Sequence, residues 1–260
     1  MPHAVMPGAE PWSHVPAAPG AGIGAGIGAL LLHGFTGSPS SMRGIAEQLA
    51  VTGFHVELPC LPGHGTVVDD MLQTDWNDWT GETARAHAHL AARADRIVVV
   101  GQSMGGALAL WTALHVPDLA GVVCINPVVV PQPPEVIEML GELLDDGMEV
   151  VPGAGPDIAD PDGTDVSYEG TPVRALLSLL SDGLAPMTGR FHELTVPLRL
   201  FTSRQDHVVE PANSEHLAAT YGGEVDHTWL EHSFHVATRD HDRDLICAET
   251  LAFATRVVAA

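Results

Sequence analysis

A serine between glycines marks the segment of the chain that is richest in chemistry, Gly101-Gln102-Ser103-Met104-Gly105-Gly106. An apolar run that ends at Val100 precedes it, and the helix-forming run Ala107 to Trp111 follows it. A serine in a G-x-S-x-G pattern between a strand and a helix occupies a strained turn that lifts its hydroxyl clear of the sheet edge. We therefore interpret Ser103 as the nucleophile of a covalent reaction.

Two main-chain N–H groups are candidate donors to an oxyanion. The run Ala29 to Leu32 predicts a buried strand, and the glycine-rich loop after it supplies the N–H of Phe35. The second donor is the N–H of Met104, which begins the next helix, where unpaired N–H groups and the helix dipole favour negative charge. We interpret His33 as a structural residue that braces the loop.

A serine hydroxyl needs a base, and the base needs a carboxylate that orients it. The chain contains 33 acidic residues, most of which we expect to be solvated. Asp206 differs from them by its position, since it follows the predicted strand Pro197 to Ser203 and precedes a helix that begins near Pro211. We predict that Asp206 is the orienting carboxylate.

Three histidines near the end of the chain compete for the role of base. His227 lies inside a predicted strand, and His232 follows it closely. His235 lies in the loop before the last helix, from which an imidazole can reach back over the sheet edge. We predict that His235 is the base, so the triad runs Ser103, Asp206, His235 along the chain.

Strands and helices alternate around these residues. Strands are predicted near 29–33, 54–58, 96–100 and 119–125, and helices near 39–52, 75–95 and 104–115. Apolar strands without alternation are typical of a parallel sheet that is covered on both faces. We predict an α/β fold with a mostly parallel sheet flanked by helices, whose ligands bind at the carboxyl ends of the strands.

The alternation stops between 127 and 190, where prolines and short amphipathic runs surround a middle part rich in Gly, Pro and Asp. We predict an inserted cap (lid) at 127–190 and a core made of 29–126 and 191–260. The alternative is a packed excursion without a substrate role. Residues 1–28 are predicted to be an irregular lead-in.

The charge balance excludes several classes of partner. The chain has 11 basic and 33 acidic residues, for a net charge of -22, which disfavours nucleic acid and anionic membrane surfaces. No histidine or cysteine spacing indicates a metal site. Three widely spaced cysteines, Cys60, Cys124 and Cys247, predict no disulfide framework and suit a reducing compartment.

The lead-in shows neither a secretion signal nor a cofactor site. It has no basic segment before an apolar one, and no run of the chain approaches the roughly 20 apolar residues that span a bilayer. We expect a cytoplasmic protein without an integral membrane segment. The glycines of Gly22 to Gly28 precede a strand, whereas a dinucleotide loop follows one, so no cofactor is expected.

Five segments together resemble the bacterial monoacylglycerol lipase and carboxylesterase branch of the α/β-hydrolases. They are Leu31–Pro39, Leu61–Thr66, Gly101–Gly106, Asp206–Pro211 and Ser233–Thr238. The chain order Ser, Asp, His is also the order of that fold. Within the predicted cap, Tyr168-Glu169-Gly170-Thr171-Pro172 is similar to the Y-E-x-T-P stretch of these lipases, and the resemblance implies that Glu169 holds the glycerol head.

The sequence thus predicts a carboxylic ester hydrolase that works through an acyl-enzyme, with a small ester or a monoacylglycerol as substrate. Two alternatives remain open at this point. A cofactor-free perhydrolase or acyltransferase would use the same triad with another acceptor. A non-catalytic hydrolase-like ligand-binding protein would keep only the fold and the pocket.

Overall fold

The computed structural model describes residues 3–16, 26–153 and 155–259. Its strands are β1 (Trp12–His14), β2 (Ile27–Leu32), β3 (His55–Leu58), β4 (Arg96–Gln102), β5 (Gly121–Ile125), β6 (Val150–Pro152), β7 (Gly170–Pro172), β8 (Leu198–Ser203) and β9 (Val225–Leu230). The main sheet has the order β1-β3-β2-β4-β5-β8-β9. Every neighbouring pair in it is parallel except β1 with β3, which confirms the predicted mostly parallel sheet.

Helices cover both faces of this sheet. They are α1 (Arg43–Val51), α2 (Val68–Met71), α3 (Trp76–Ala91), α4 (Met104–His115), α5 (Pro134–Asp145), α6 (Val173–Ser178), α7 (Ala185–Met187), α8 (Ala212–Thr220) and α9 (Arg243–Ala259). Successive strand side chains point to opposite faces. Accordingly, Leu30 and Leu32 pack in the core with α3 and α4, whereas Ala29 and Leu31 pack with α1 and α9.

The helix α3 shows how a local signal sets an element boundary. The Asp75 carboxylate accepts hydrogen bonds from the N–H groups of Asn77 and Asp78, and the Asp78 side chain accepts one from the Asp75 N–H. This capping box satisfies N–H groups that the first turn leaves without partners. The helix therefore begins at Trp76, close to the predicted start, and it ends at Ala91, before the predicted end.

The predicted irregular lead-in is wrong in one respect, because part of it belongs to the sheet. Trp12–His14 forms the strand β1, and the Ser13 hydroxyl donates a hydrogen bond to the buried Glu57 carboxylate at 2.6 Å. Pairing with β3, distant in sequence, organises a segment that is too short to show a strand pattern of its own. Of the glycine pattern, residues 22–25 lie outside the described residues, and β2 begins at Ile27.

The segment between β5 and β8 leaves the sheet and returns to it. Residues 127–190 of this segment, here called the insertion, contain α5, the antiparallel pair β6 and β7, α6, a π-helical turn at Leu179–Leu184, and α7. Tyr168 anchors the insertion to the core, since its hydroxyl donates to the Gly63 carbonyl at 2.9 Å. Within the described ranges, no helix has the length and apolar character needed to cross a membrane.

Candidate active site

Ser103 lies at the turn between β4 and α4 with φ of 56° and ψ of -119°. Residues other than glycine rarely adopt such a backbone conformation. Here it is held by glycines that pack closely against neighbouring backbone. A Cβ atom on Gly101 would overlap the Gly105 carbonyl, and one on Gly105 would overlap the Leu32 carbonyl. The two flanking glycines are therefore required by the close approach of three backbone segments, and Ser103 lies 8% exposed at the edge of the sheet.

Asp206 lies in the loop that follows β8, at the same edge of the sheet. Its Oδ1 accepts hydrogen bonds from the N–H groups of Val208 and Val209 at 2.9 and 2.8 Å. Its side chain is only 1% exposed. Main-chain donors thus hold one carboxylate oxygen and leave the other, Oδ2, to a partner.

That partner is the ring of His235. The distance from His235 Nδ1 to Asp206 Oδ2 is 2.8 Å, and the imidazole is 8% exposed. Because a carboxylate only accepts, Nδ1 carries the hydrogen and Nε2 is the basic nitrogen. His235 and Ser103 line the same cavity of about 260 Å³.

The two competing histidines lie elsewhere. His227 is on β9, where its Nε2 lies 2.8 Å from the Thr202 hydroxyl. His232 is exposed, and its backbone N–H donates to the Asp242 carboxylate at 3.0 Å. Neither lines the cavity that contains Ser103.

The predicted oxyanion donors lie on the two segments that meet at Ser103. Met104 begins α4, and Phe35 lies in the loop after β2 and lines the cavity. A Cβ atom on Gly34 would come within 3.3 Å of the Ser103 Cβ, so this glycine brings the loop close to the serine. Within the described part of the chain, no acceptor is bonded to the N–H of Phe35 or of Met104.

His33 braces this loop. Its Nδ1 donates to the Gly34 carbonyl at 3.0 Å, and its Nε2 accepts from the Leu61 N–H at 3.0 Å, so the ring is neutral with the hydrogen on Nδ1. Burial, together with nearby His64, lowers the pKa of His33 to about 3. Burial also lowers the pKa of His64 to about 4. The bonds and burial agree with the structural interpretation of His33.

These two buried histidines predict a loss of stability in mild acid. In the unfolded chain each ring binds a proton near pH 6.5, whereas the folded state resists protonation down to the lowered pKa values of about 3 and about 4. The free energy of unfolding should therefore fall as the pH drops below about 6.5, by on the order of 4 kcal/mol between about pH 7.5 and about pH 5. Urea unfolding at a series of pH values measures this change in the free energy of unfolding.

Substituting His64 separates its contribution to this pH dependence of stability from that of His33. His64→Gln should remove about half of the pH dependence, because one of the two shifted groups is gone. The exposed His192 offers a matched control, and His192→Gln should leave the slope unchanged. An unaltered slope in His64→Gln would contradict the assignment.

Glu169 is the residue to which the family resemblance assigns the glycerol head. It is exposed, its carbonyl accepts from the Gly153 N–H at 2.8 Å, and it is not among the residues that line the Ser103 cavity. The neighbouring Tyr168 is buried, and Tyr168 and Ser167 do line the cavity. The direction of each side chain depends on how the chain enters β7, which the sequence motif does not specify.

Sequence reasoning missed Asn126, which connects three parts of the site. It follows β5 with φ of 45°, its Nδ2 donates to the His235 carbonyl and to the Ser203 hydroxyl at 2.9 Å each, and its Oδ1 accepts from the Ser203 N–H at 2.7 Å. A signal was available, since an asparagine directly after a buried strand lies at the sheet edge where ligands bind.

Gln102 was also missed as a connecting residue. Its Oε1 accepts a hydrogen bond from the Thr238 hydroxyl at 2.6 Å, so it joins the serine turn to the loop that carries His235. Within the described ranges, no group of histidine, cysteine and acidic side chains is placed to hold a metal ion.

The sheet is mostly parallel. It carries a serine turn after one strand and a carboxylate–imidazole pair after two later strands, which is the arrangement of an α/β-hydrolase. The chain belongs to the alpha/beta hydrolase family, whose model matches residues 29–249. The predicted fold class is thereby confirmed.

Similar proteins are named as ester hydrolases. The chain is 38% identical over 229 residues to a thermostable monoacylglycerol lipase of Bacillus sp. (strain H-257), covering 87% of this chain and 90% of that protein. It is 26% identical over 233 residues to a carboxylesterase of Bacillus subtilis (strain 168), covering 88% and 92%.

A solved structure from work on the metagenome-derived lipolytic enzymes LipS and LipT has a TM-score of 0.89 and 38% identity, covering 97% of this chain and 100% of that one. Together, these relatives agree with the predicted carboxylic ester hydrolase. They give no support to the transferase, perhydrolase or non-catalytic alternatives.

Proposed function

We propose that the protein hydrolyses carboxylic esters through an acyl-enzyme on Ser103, as a monoacylglycerol lipase or carboxylesterase. The observation that carries this proposal is the 2.8 Å pair of Asp206 and His235, whose imidazole shares a cavity with the strained Ser103. A nucleophile, an oriented base and free main-chain donors in one cavity are the requirements of acyl transfer. The names of the relatives support the same reaction.

In the first half of the reaction, Nε2 of His235 takes the Ser103 proton as the hydroxyl oxygen attacks the ester carbonyl. The negative charge that develops on the carbonyl oxygen is held by the N–H groups of Phe35 and Met104, each worth roughly 3 kcal/mol in such sites. Asp206 stabilises the imidazolium that forms and keeps its ring oriented. The imidazolium then gives its proton to the departing alcohol, and an acyl-serine remains.

In the second half, a water molecule enters where the alcohol left. His235 takes a proton from this water, and its oxygen attacks the acyl carbonyl. The same two N–H groups hold the second oxyanion. When the intermediate collapses, the proton returns to the Ser103 oxygen and the carboxylic acid is released, so that the enzyme is regenerated without a cofactor.

We also propose that the insertion, 127–190, acts as a cap over a core made of 29–126 and 191–260, which β1 extends. Apolar side chains from both parts line the Ser103 cavity, with Leu176 from the insertion and Phe35, Val208 and Val236 from the core. Such a lining suits an acyl chain, since apolar surface leaves water on binding. We further propose residence in the cytoplasm, supported by the free thiols of all three cysteines.

For the alcohol part of a monoacylglycerol, the wall of the cavity offers Asp165 and Ser167 in place of the predicted Glu169. The Oδ1 of Asp165 accepts from the Ser40 hydroxyl at 2.5 Å, which holds the carboxylate in place. Its second oxygen can accept a hydrogen bond from a glycerol hydroxyl. A hydrogen bond to a charged group contributes about 1.5–3 kcal/mol.

A panel of substrates tests this preference. Monoacylglycerols of increasing chain length are compared with methyl esters of the same acids and with di- and triacylglycerols, by kcat/KM. We expect the monoacylglycerols to be preferred, and Asp165→Ala to lower their ratio to the methyl esters about 10-fold. Glu169→Ala is the matched control. A loss of preference in Glu169→Ala alone would instead restore the role that the resemblance implies.

A further inference from the structure

The carboxylate of Asp157, in the insertion, contacts the backbone of both loops that carry the candidate acid–base pair, the Asp206 loop and the His235 loop. The Oδ2 of Asp157 accepts hydrogen bonds from the N–H of His235 and from the N–H of His207, the residue after Asp206, each at 3.1 Å. Its Oδ1 lies 2.8 Å from Nδ1 of the His207 ring. The side chain of Asp157 is 14% exposed. One oxygen thus bridges the two loops that carry the pair.

Further bonds attach the same part of the insertion to the His235 loop. The carbonyl of Asp157 accepts from the Val236 N–H at 3.0 Å. The buried Asp240 carboxylate accepts from the N–H groups of Ala159 and Phe234 at 2.8 Å each. Burial raises the pKa of Asp240, but these and neighbouring N–H donors outweigh it and hold the pKa below its usual range. The segment beginning at Asp157 is therefore bound to the core beside the site.

These bonds matter because the Asp206–His235 contact joins two separate loops. Asp206 is held within its own loop, and the His235 carbonyl is held by Asn126. Asn126 and Ser203 already link the His235 loop to the end of β8. Asp157 adds a bridge from the His235 N–H to the N–H of the residue directly after Asp206, so it helps to fix the spacing between the two loops at the pair itself. A displacement of about 1 Å in a catalytic group can cost about 100-fold in rate.

We propose that Asp157 is a positioning residue, which holds the Asp206 and His235 loops at their working separation from within the insertion. The inference rests on the proposed function, since it concerns the base of that reaction. Asp157 is not itself among the residues that line the cavity, and it contacts the His235 loop through main-chain N–H groups, so its effect is on the rate of proton transfer and not on substrate affinity.

The test is the pre-steady-state acylation rate with p-nitrophenyl acetate over a range of ester concentrations, which also gives the dissociation constant of the ester, together with the melting temperature. Asp157→Ala should lower the limiting acylation rate about 10- to 100-fold and change this dissociation constant less than about 3-fold. Asp157→Asn should remain within about 3-fold of the parent, because its amide oxygen can accept from the same two N–H groups. Asp162→Ala, an exposed aspartate of the same segment, is the matched control.

Two outcomes overturn the inference. One is a parent-like acylation rate in Asp157→Ala, and the other is an equal loss in Asp157→Asn and Asp157→Ala. If Asp157→Ala does not fold, Asp157→Glu keeps the charge but displaces the acceptor, and its rate should fall while Asp157→Asn stays active. Ser103→Ala, measured in parallel, separates the two proposals, since turnover in that variant would overturn the proposed function itself.

Discussion

Replacing Ser103 by alanine should lower ester turnover by about 10⁴-fold or more, because the covalent route is lost and only the binding site and the oxyanion donors remain. The variant should still fold. Alanine keeps the Cβ atom and thus the packing against Gly34, where the two backbones approach closely. Steady-state hydrolysis of p-nitrophenyl esters measures the loss, and the melting temperature verifies the fold.

A control for this result lies in the insertion. Ser181 is exposed, and Ser181→Ala should retain the parent rate. A phosphonate that modifies active-site serines should add one label to the parent and to Ser181→Ala, and none to Ser103→Ala. Turnover above a few per cent of the parent rate in folded Ser103→Ala would remove Ser103 from the reaction.

Replacing His235 by alanine should have an effect of similar size, about 10³-fold or more, because the serine loses its base and the departing alcohol loses its acid. His232→Ala is a matched control, since His232 is three residues away in the sequence but exposed. It should stay within about 3-fold of the parent. The comparison therefore separates the effect of the imidazole that is bonded to Asp206 from the effect of losing any histidine in this part of the chain.

The double variant adds a sharper test of whether the two residues act together. If Ser103 and His235 form one catalytic unit, the variant that lacks both should be no slower than the slower single variant. Losses that multiply would indicate independent roles and contradict the proposed proton transfer. The same kcat/KM measurements on four proteins settle the comparison.

The turn at Ser103 could be predicted from its own residues because its causes are local. An apolar strand ends at Gln102, and the close approach of backbones demands Gly101 and Gly105. The alternation of apolar strands with helices likewise predicts the parallel sheet. Once the sheet is known, Asp206 and His235 follow from their positions after later strands, since parallel strands end at one edge.

Other features depend on contacts between distant parts of the chain. The strand β1 exists through its pairing with β3, and Glu169 faces solvent because of the path of the chain into β7. Asp157 reaches partners that lie 50 and 78 residues away, from a segment without helical or strand periodicity. No pattern within such a segment specifies which backbone donors it will meet.

Taken by itself, the sequence determined the fold class and predicted Ser103, Asp206 and His235 as the candidate triad, because hydrophobic periodicity and glycine sterics act over a few residues. Tertiary structure alone decided which side chains of the insertion face the cavity and that Asp157 bridges two loops. The reason is that a hydrogen bond requires two groups to meet within about 3 Å, and for residues far apart in sequence only the packed fold sets that distance.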